Sequence, residues 1–324
     1  MSGKGVVERE EGSLAVCLAG IYWKTGSYVK PRLITFACLT HTAISPTRMI
    51  MSMLRRSVGI TLLTLLAFAG YYALKEWAFA PLYHLLAGWG IGNVLAYFVT
   101  YILIGLPILG AMVLLHGLRP MPESLGLAQG LGRGVGLALL ATLPMLVGYA
   151  WVFSFNQDLS WQKVMTGAVA AAFFEELYFR GFLFGQLFRY TRLGFFPALI
   201  LGALIFASGH LYQSQDPATL VGIFLTTFMG AGLFAWVYSE WDFNLWTAIF
   251  LHFFMNLFWM LFAAGDNALG GGYANVFRIL TIALAIMGTL LYKRRQGLPL
   301  AIRRETLWMK PASMVPTQTN PPVG

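Results

Sequence analysis

Apolar runs of about 20 residues, the length at which a helix crosses a bilayer, recur along this chain with short polar breaks between them. They cover roughly residues 57–74, 91–115, 135–155, 164–188, 195–210, 218–238, 243–262 and 276–292. The pattern predicts an all-α, polytopic transmembrane helix bundle of about eight spans. Turn residues mark the breaks: Pro120 and Pro122 within 117–124, the stretch 213–217, and Gly270, Gly271 and Gly272. Neither an internal repeat nor a soluble second domain interrupts the series.

One run breaks the pattern. Within 164–188 stand Glu175, Glu176 and Arg180, and ionisable groups at that depth are costly and mark function by default. Glu176 and Arg180 are four apart, share a helix face and can pair, while Glu175 points about 100° away. A buried ion pair that only fixes a helix accounts for Glu176 and Arg180 but leaves Glu175 over. An unpaired carboxyl in a low-dielectric site is suited to take a proton from water near neutral pH.

Composition agrees with the pattern. Of 324 residues, 58% are hydrophobic and 11% charged, with mean hydropathy +0.67, against about 25% charged in soluble domains. The net charge of +9 is not a nucleic-acid footprint, because the basic residues sit at the ends of apolar runs. With the N-terminus inside, Arg55, Arg56, Arg119, Arg133, Arg189, Arg192, Lys293, Arg294 and Arg295 fall on the inner side and only Lys75 and Lys163 on the outer. Both termini are then cytoplasmic, and the expected location is a bacterial inner membrane. The loop holding Glu240 and Asp242 is the exception, having acids and no cation. Cys17 and Cys38 precede the first credible span and support neither a disulfide framework nor a Cys-based metal site.

The chain divides, on this reading, into a doubtful N-terminal extension (1–50), N-terminal transmembrane helices (51–160), a catalytic helical core (161–265), a C-terminal transmembrane helix (266–295) and a disordered cytoplasmic tail (296–324). Met49, Met51 and Met53 precede the first run and are expected to hold the true start of translation.

Few other polar groups fall inside apolar runs. His210 closes the fifth run, four residues after Phe206; His252 and Asn256 are four apart on the seventh and project from one face. Each alone reads as helix glue. His84 and His116 fall at span ends, His41 in the doubtful extension, and Asn93, Gln186 and Arg278 read as structural or interfacial. Trp77, Trp89, Trp151, Trp161, Trp241 and Trp246 lie near span ends, as an aromatic belt does. P-loop, Rossmann and HExxH patterns are missing from the sequence.

Taken together, Glu175-Glu176 with Arg180, Phe206 with His210, and His252 with Asn256 resemble the EExxxR, FxxxH and HxxxN motifs of the CPBP family, the CAAX proteases and bacteriocin-processing enzymes also called Abi. The resemblance covers about 164–262. It implies an intramembrane endopeptidase in which Glu175 is the general base, His210 orients or shares the water, and His252 and Asn256 hold the oxyanion, with Glu176, Arg180 and Phe206 in support. A glutamate-activated water without metal and a zinc held by Glu175, His210 and His252 both satisfy these residues; the metal-free, cofactor-free form is the preferred expectation. The implied partners are the lipid bilayer and a membrane-embedded or lipid-modified protein substrate, with no nucleic acid. Two other classes compete. A transporter or proton-conducting protein would spread its polar residues over several helices or over repeated halves, and a catalytically silent immunity or scaffold protein of the same fold would be indifferent to alanine at Glu175 and His210.

Overall fold

The computed structural model describes residues 46–315; the expectations for most of 1–50 and for 316–324 lie outside these described residues. The chain divides into a compact unit of residues 1–54, of which only the start of the first helix is described, and a second of 55–324 that holds everything below.

Among the described residues the structure is helical, and one isolated antiparallel bridge, Leu193 to Met309, is its only β-type pairing. Helix α1 spans Pro46–Gly88, α2 Asn93–Ile104 and α3 Leu106–His116. The pair α2 and α3 is bent by 48° at Gly105. Pro107 in the first turn of α3 has no N–H to continue the α2 ladder. Gly105 is required as well, because a Cβ there would collide with the Tyr178 hydroxyl, which donates to the Tyr101 carbonyl at 2.8 Å. Short α4 (Met121–Leu125) and long α5 (Leu131–Val152) follow.

The next helix is continuous from 161 to 190. It opens with α6 (Trp161–Val164), widens into π-type turns over Met165–Ala170, tightens in α7 (Ala171–Glu175), widens again over Glu176–Phe184 and ends as α8 (Gly185–Tyr190). Every residue from Glu176 to Phe188 is buried, which identifies it as the central helix of the bundle. Around it stand α9 (Phe195–Ser208), α10 (Pro217–Glu240) and α11 (Leu245–Leu261), with α12 (Gly272–Arg295) packed on α5. The outer helices turn Trp77, Leu114, Trp151 and Met229 outward, exposed apolar surface that suits lipid rather than water. Threonines 100, 142, 227 and 289 each satisfy their hydroxyl on the carbonyl four residues back, so they sit in apolar surroundings without an unmet donor.

Among the described residues five helices are long and apolar enough to span, or six when α2 with α3 is taken as one broken span. The two shortfalls from about eight have physical causes. Helix α11 has 17 residues, and the central helix carries Glu175, Glu176 and Arg180.

The C-terminal segment departs from expectation. Rather than a disordered tail, 296–315 folds back along the end of the bundle. Ala301 and Ile302 N–H both donate to the Glu240 carboxylate at 2.9 Å, and Gly194 and Phe196 N–H donate to the Trp308 and Leu307 carbonyls at 2.8 and 3.0 Å. Its polar composition concealed backbone pairing that only the tertiary fold supplies. Glu240, which has no cation in its own loop, meets Lys293 of α12 at 3.0 Å.

Candidate active site

Glu175 closes α7 and Glu176 opens the wider turns that follow, so the change of helical pitch falls between the two carboxylates. Such π-type turns are frequent at functional sites. The two side chains meet different surroundings: Glu176 is fully buried, whereas the Glu175 side chain keeps 24% of its surface accessible.

Glu176 Oε1 is shared. Arg180 Nη1 lies 3.1 Å from it on one side, and His252 Nδ1 lies 2.7 Å away on the other. A carboxylate oxygen only accepts, so an ionised Glu176 fixes the proton of His252 on Nδ1 and directs Nε2 outward. Nε2 faces Glu175 Oε2 at 4.0 Å. That is too long for a direct hydrogen bond and suits one water accepted or donated between the two atoms. Aromatic rings hold this cluster from both sides. Phe234 of α10 stacks on the His252 imidazole at 5.1 Å and 11°, and the Arg180 guanidinium lies 4.6 Å from the Phe206 ring and 5.2 Å from that of Phe234. These contacts are cation–π in character.

The cluster is incompletely satisfied. Arg180 Nη1 is misaligned to donate to Glu176, so Nη1, Nη2 and Glu176 Oε2 are buried with no hydrogen-bond partner in the protein. A cavity of ≈ 10 Å³ borders Arg180, Phe206, Gly202 and Ala235, about the space one water needs.

The remaining expected residues sit apart from this core. His210 follows the end of α9 at a turn leading into the 3₁₀ segment Leu211–Gln213. Its Nδ1 is 2.7 Å from the Phe206 carbonyl, which as an acceptor fixes the proton there and leaves Nε2 free, and its ring leans on Phe206 at 4.7 Å. Asn256 Nδ2 donates to the Gly167 carbonyl at 3.1 Å, pinning α11 to the first π-type segment. Among the described residues no hydrogen bond or ion pair joins His210 or Asn256 to the two glutamates. The geometry therefore differs from the arrangement that pairs His252 with Asn256: the imidazole is held between two carboxylates, and Glu176 positions His252 as well as pairing with Arg180.

Among the described residues no three His, Cys, Asp or Glu side chains are grouped as a metal would need. Glu175, His210 and His252 as placed do not form such a group. Two contributors carry no sequence signal: Phe234, an apolar residue on an apolar helix, and the Gly167 carbonyl.

A separate apolar groove of ≈ 520 Å³ runs beside the cluster, lined by Phe98, Ile102, Phe173, Phe174, Trp246 and Phe253 among others. Phe174 precedes Glu175 and Phe253 follows His252, so two walls of the groove are sequence neighbours of the polar pair.

Comparison with known families places the same stretch. Residues 156–258 match the family described as type II CAAX prenyl endopeptidase Rce1-like, in agreement with the CPBP resemblance, and all seven motif residues lie inside the match. No curated protein and no solved structure matches the chain.

Proposed function

We propose that this integral membrane chain, whose 156–258 segment is similar to type II CAAX prenyl endopeptidases, hydrolyses a peptide bond of a membrane-associated or lipid-modified protein within the bilayer. The observation that carries the reading is the 4.0 Å gap between Glu175 Oε2 and His252 Nε2, with His252 clamped from behind by Glu176. A water held in that gap loses a proton to Glu175 as it attacks the scissile carbonyl. The proton taken by Glu175 passes to His252 Nε2, the ring nitrogen left unprotonated by the Nδ1–H bond to Glu176, and from there to the leaving amine as the C–N bond breaks. His210, with Nε2 free, and Asn256, with its second amide N–H, are the residues we assign to the substrate carbonyl once substrate draws the helices together.

The apolar groove supplies a place for the nonpolar part of such a substrate, in the size range of ligand pockets. Access from the lipid side suits a hydrophobic segment or a covalently attached chain. We take 161–265 as the catalytic core, and the inner membrane of a bacterium with both termini cytoplasmic as the setting.

Quantitative membrane proteomics comparing wild type with Glu175→Ala tests the activity. A peptide terminus present only in the wild type supports it; identical termini in the two strains sink it. Chelation tests the metal-free form: activity is expected to survive it, and loss restored by zinc would contradict that form.

A further inference from the structure

The segment that folds back at the end of the bundle has two faces with different chemistry. Its inner face is used up by the protein. Lys310 is buried, its Nζ donates to the Phe188 carbonyl and lies 4.7 Å from the Phe188 ring, and its backbone N–H bonds Arg192 O at 2.8 Å. Phe188 is in the last turn of the central helix, whose terminal carbonyls have no helical partner, so Lys310 is a cationic cap for the helix that bears both glutamates. Gly194 makes the contact feasible: a Cβ there would sit 2.5 Å from the Leu307 and Trp308 backbone.

The outer face is left open. Trp308 and Met309 are 65% and 63% exposed, and Leu298 and Leu300 of the same segment are exposed too. Arg294, Arg295, Arg303 and Arg304 are exposed on the same stretch, against one acid, Glu305, which is engaged by Arg303 at 3.3 Å. Tryptophan with aliphatic side chains and an excess of arginines over acids is the composition of a membrane–water interface, and guanidinium groups match phosphate geometry. The arginines therefore select for the charge of the surface this face meets.

We propose that 298–310 is an interfacial strap whose outer face binds anionic phospholipid headgroups and whose inner face, through Lys310, ties that leaflet to the central helix. The strap does not depend on the peptidase reading.

The full chain in nanodiscs of phosphatidylcholine, or of phosphatidylcholine mixed with phosphatidylglycerol, tests it by thermal unfolding and by lipid retention in native mass spectrometry. Phosphatidylglycerol is expected to raise the unfolding temperature and to remain bound. Arg303→Ala with Arg304→Ala is expected to weaken that retention roughly 25-fold, about fivefold per arginine, and inorganic phosphate alone to give no shift. Gly194→Val, which crowds the strap off its seat, should lose the lipid response too; should it not fold, the exposed arginine pair still decides. An equal phosphatidylglycerol response in the arginine variant, no response in the wild type, or the same shift from phosphate would overturn the proposal, the first of these leaving the face to an acidic protein partner.

Discussion

Among the described residues two buried glutamates pair with a Lys or Arg, Glu240 with Lys293 and Glu176 with Arg180, and the two pairs are finished differently. At the end of the bundle, Glu240 accepts from Ala301 N, Ile302 N and Lys293 Nζ, and Lys293 also donates to the Pro299 carbonyl at 3.0 Å. All of its hydrogen-bonding capacity that the structure shows is spent on holding α10, α12 and the strap together. In the centre, Glu176 and Arg180 share one ion-pair contact of 3.1 Å, and Glu176 Oε2 and both Arg180 terminal nitrogens make no hydrogen bond within the protein. Buried charges are expensive unless fully paired, so the unsaturated pair needs a reason that the saturated one does not. On the proposed function that reason is chemistry: the central pair keeps capacity in reserve beside a carboxylate, Glu175, and an imidazole, His252.

The contrast can be broken most sharply at Glu175. Its side chain is partly accessible and makes no direct hydrogen bond, so Glu175→Gln should lower peptide cleavage by about 10²–10⁴-fold, the usual worth of a general base, while the unfolding midpoint stays near that of the wild type. Cleavage assays beside thermal unfolding measure both. A stability loss as large as the activity loss would place Glu175 among structural residues.

The next effect separates the two pairs. Arg180→Ala strands a buried Glu176, and Lys293→Ala strands a buried Glu240; each should cost about 3–5 kcal/mol. Activity per folded molecule should fall only for Arg180→Ala, because Glu176 then no longer holds His252 in place. Specific activity corrected for folded fraction checks this, and equal losses in both variants would erase the distinction.

A smaller effect concerns the kinked pair α2 and α3. Tyr178→Phe removes a donor to the Tyr101 carbonyl, which still accepts from Gly105 N at 3.1 Å, so the cost should be about 1 kcal/mol. Equilibrium unfolding in detergent reads it.

A separate effect is a pH dependence. Burial pushes the Lys310 ammonium from its ordinary 10.5 down to about 8. Between these values the unfolded chain holds a proton that the folded chain has released, so stability should rise as pH goes from about 8 toward 10.5, and be flat in this respect below 8. Lys310→Met should remove that rise; a rise that persists in the variant would assign it to another group.

Much of the central site is legible in the sequence because it depends on short-range spacing. The i,i+4 relation of Glu176 and Arg180, and the surplus carboxyl at Glu175, follow from helical geometry alone, and the run of apolar segments sets the fold class. What stays hidden depends on distance along the chain. That His252 hydrogen-bonds Glu176 is decided by how α11 packs against the central helix, 76 residues away in sequence. Phe234 looks like any other apolar residue of α10 until its ring is found against His252 and Arg180. The strap was misread for the same reason: a polar, Pro-containing stretch carries no mark of the Gly194 backbone that receives it, nor of Glu240 waiting for its amides.

The most direct test of the contrast between the pairs is a single reporter-peptide assay on purified wild type, Glu175→Gln and Glu240→Gln in the same bilayer, scaled to folded protein. Cleavage by the wild type and by Glu240→Gln is expected, with near-abolition in Glu175→Gln. Cleavage by Glu175→Gln at the wild-type rate would contradict the proposed role of Glu175.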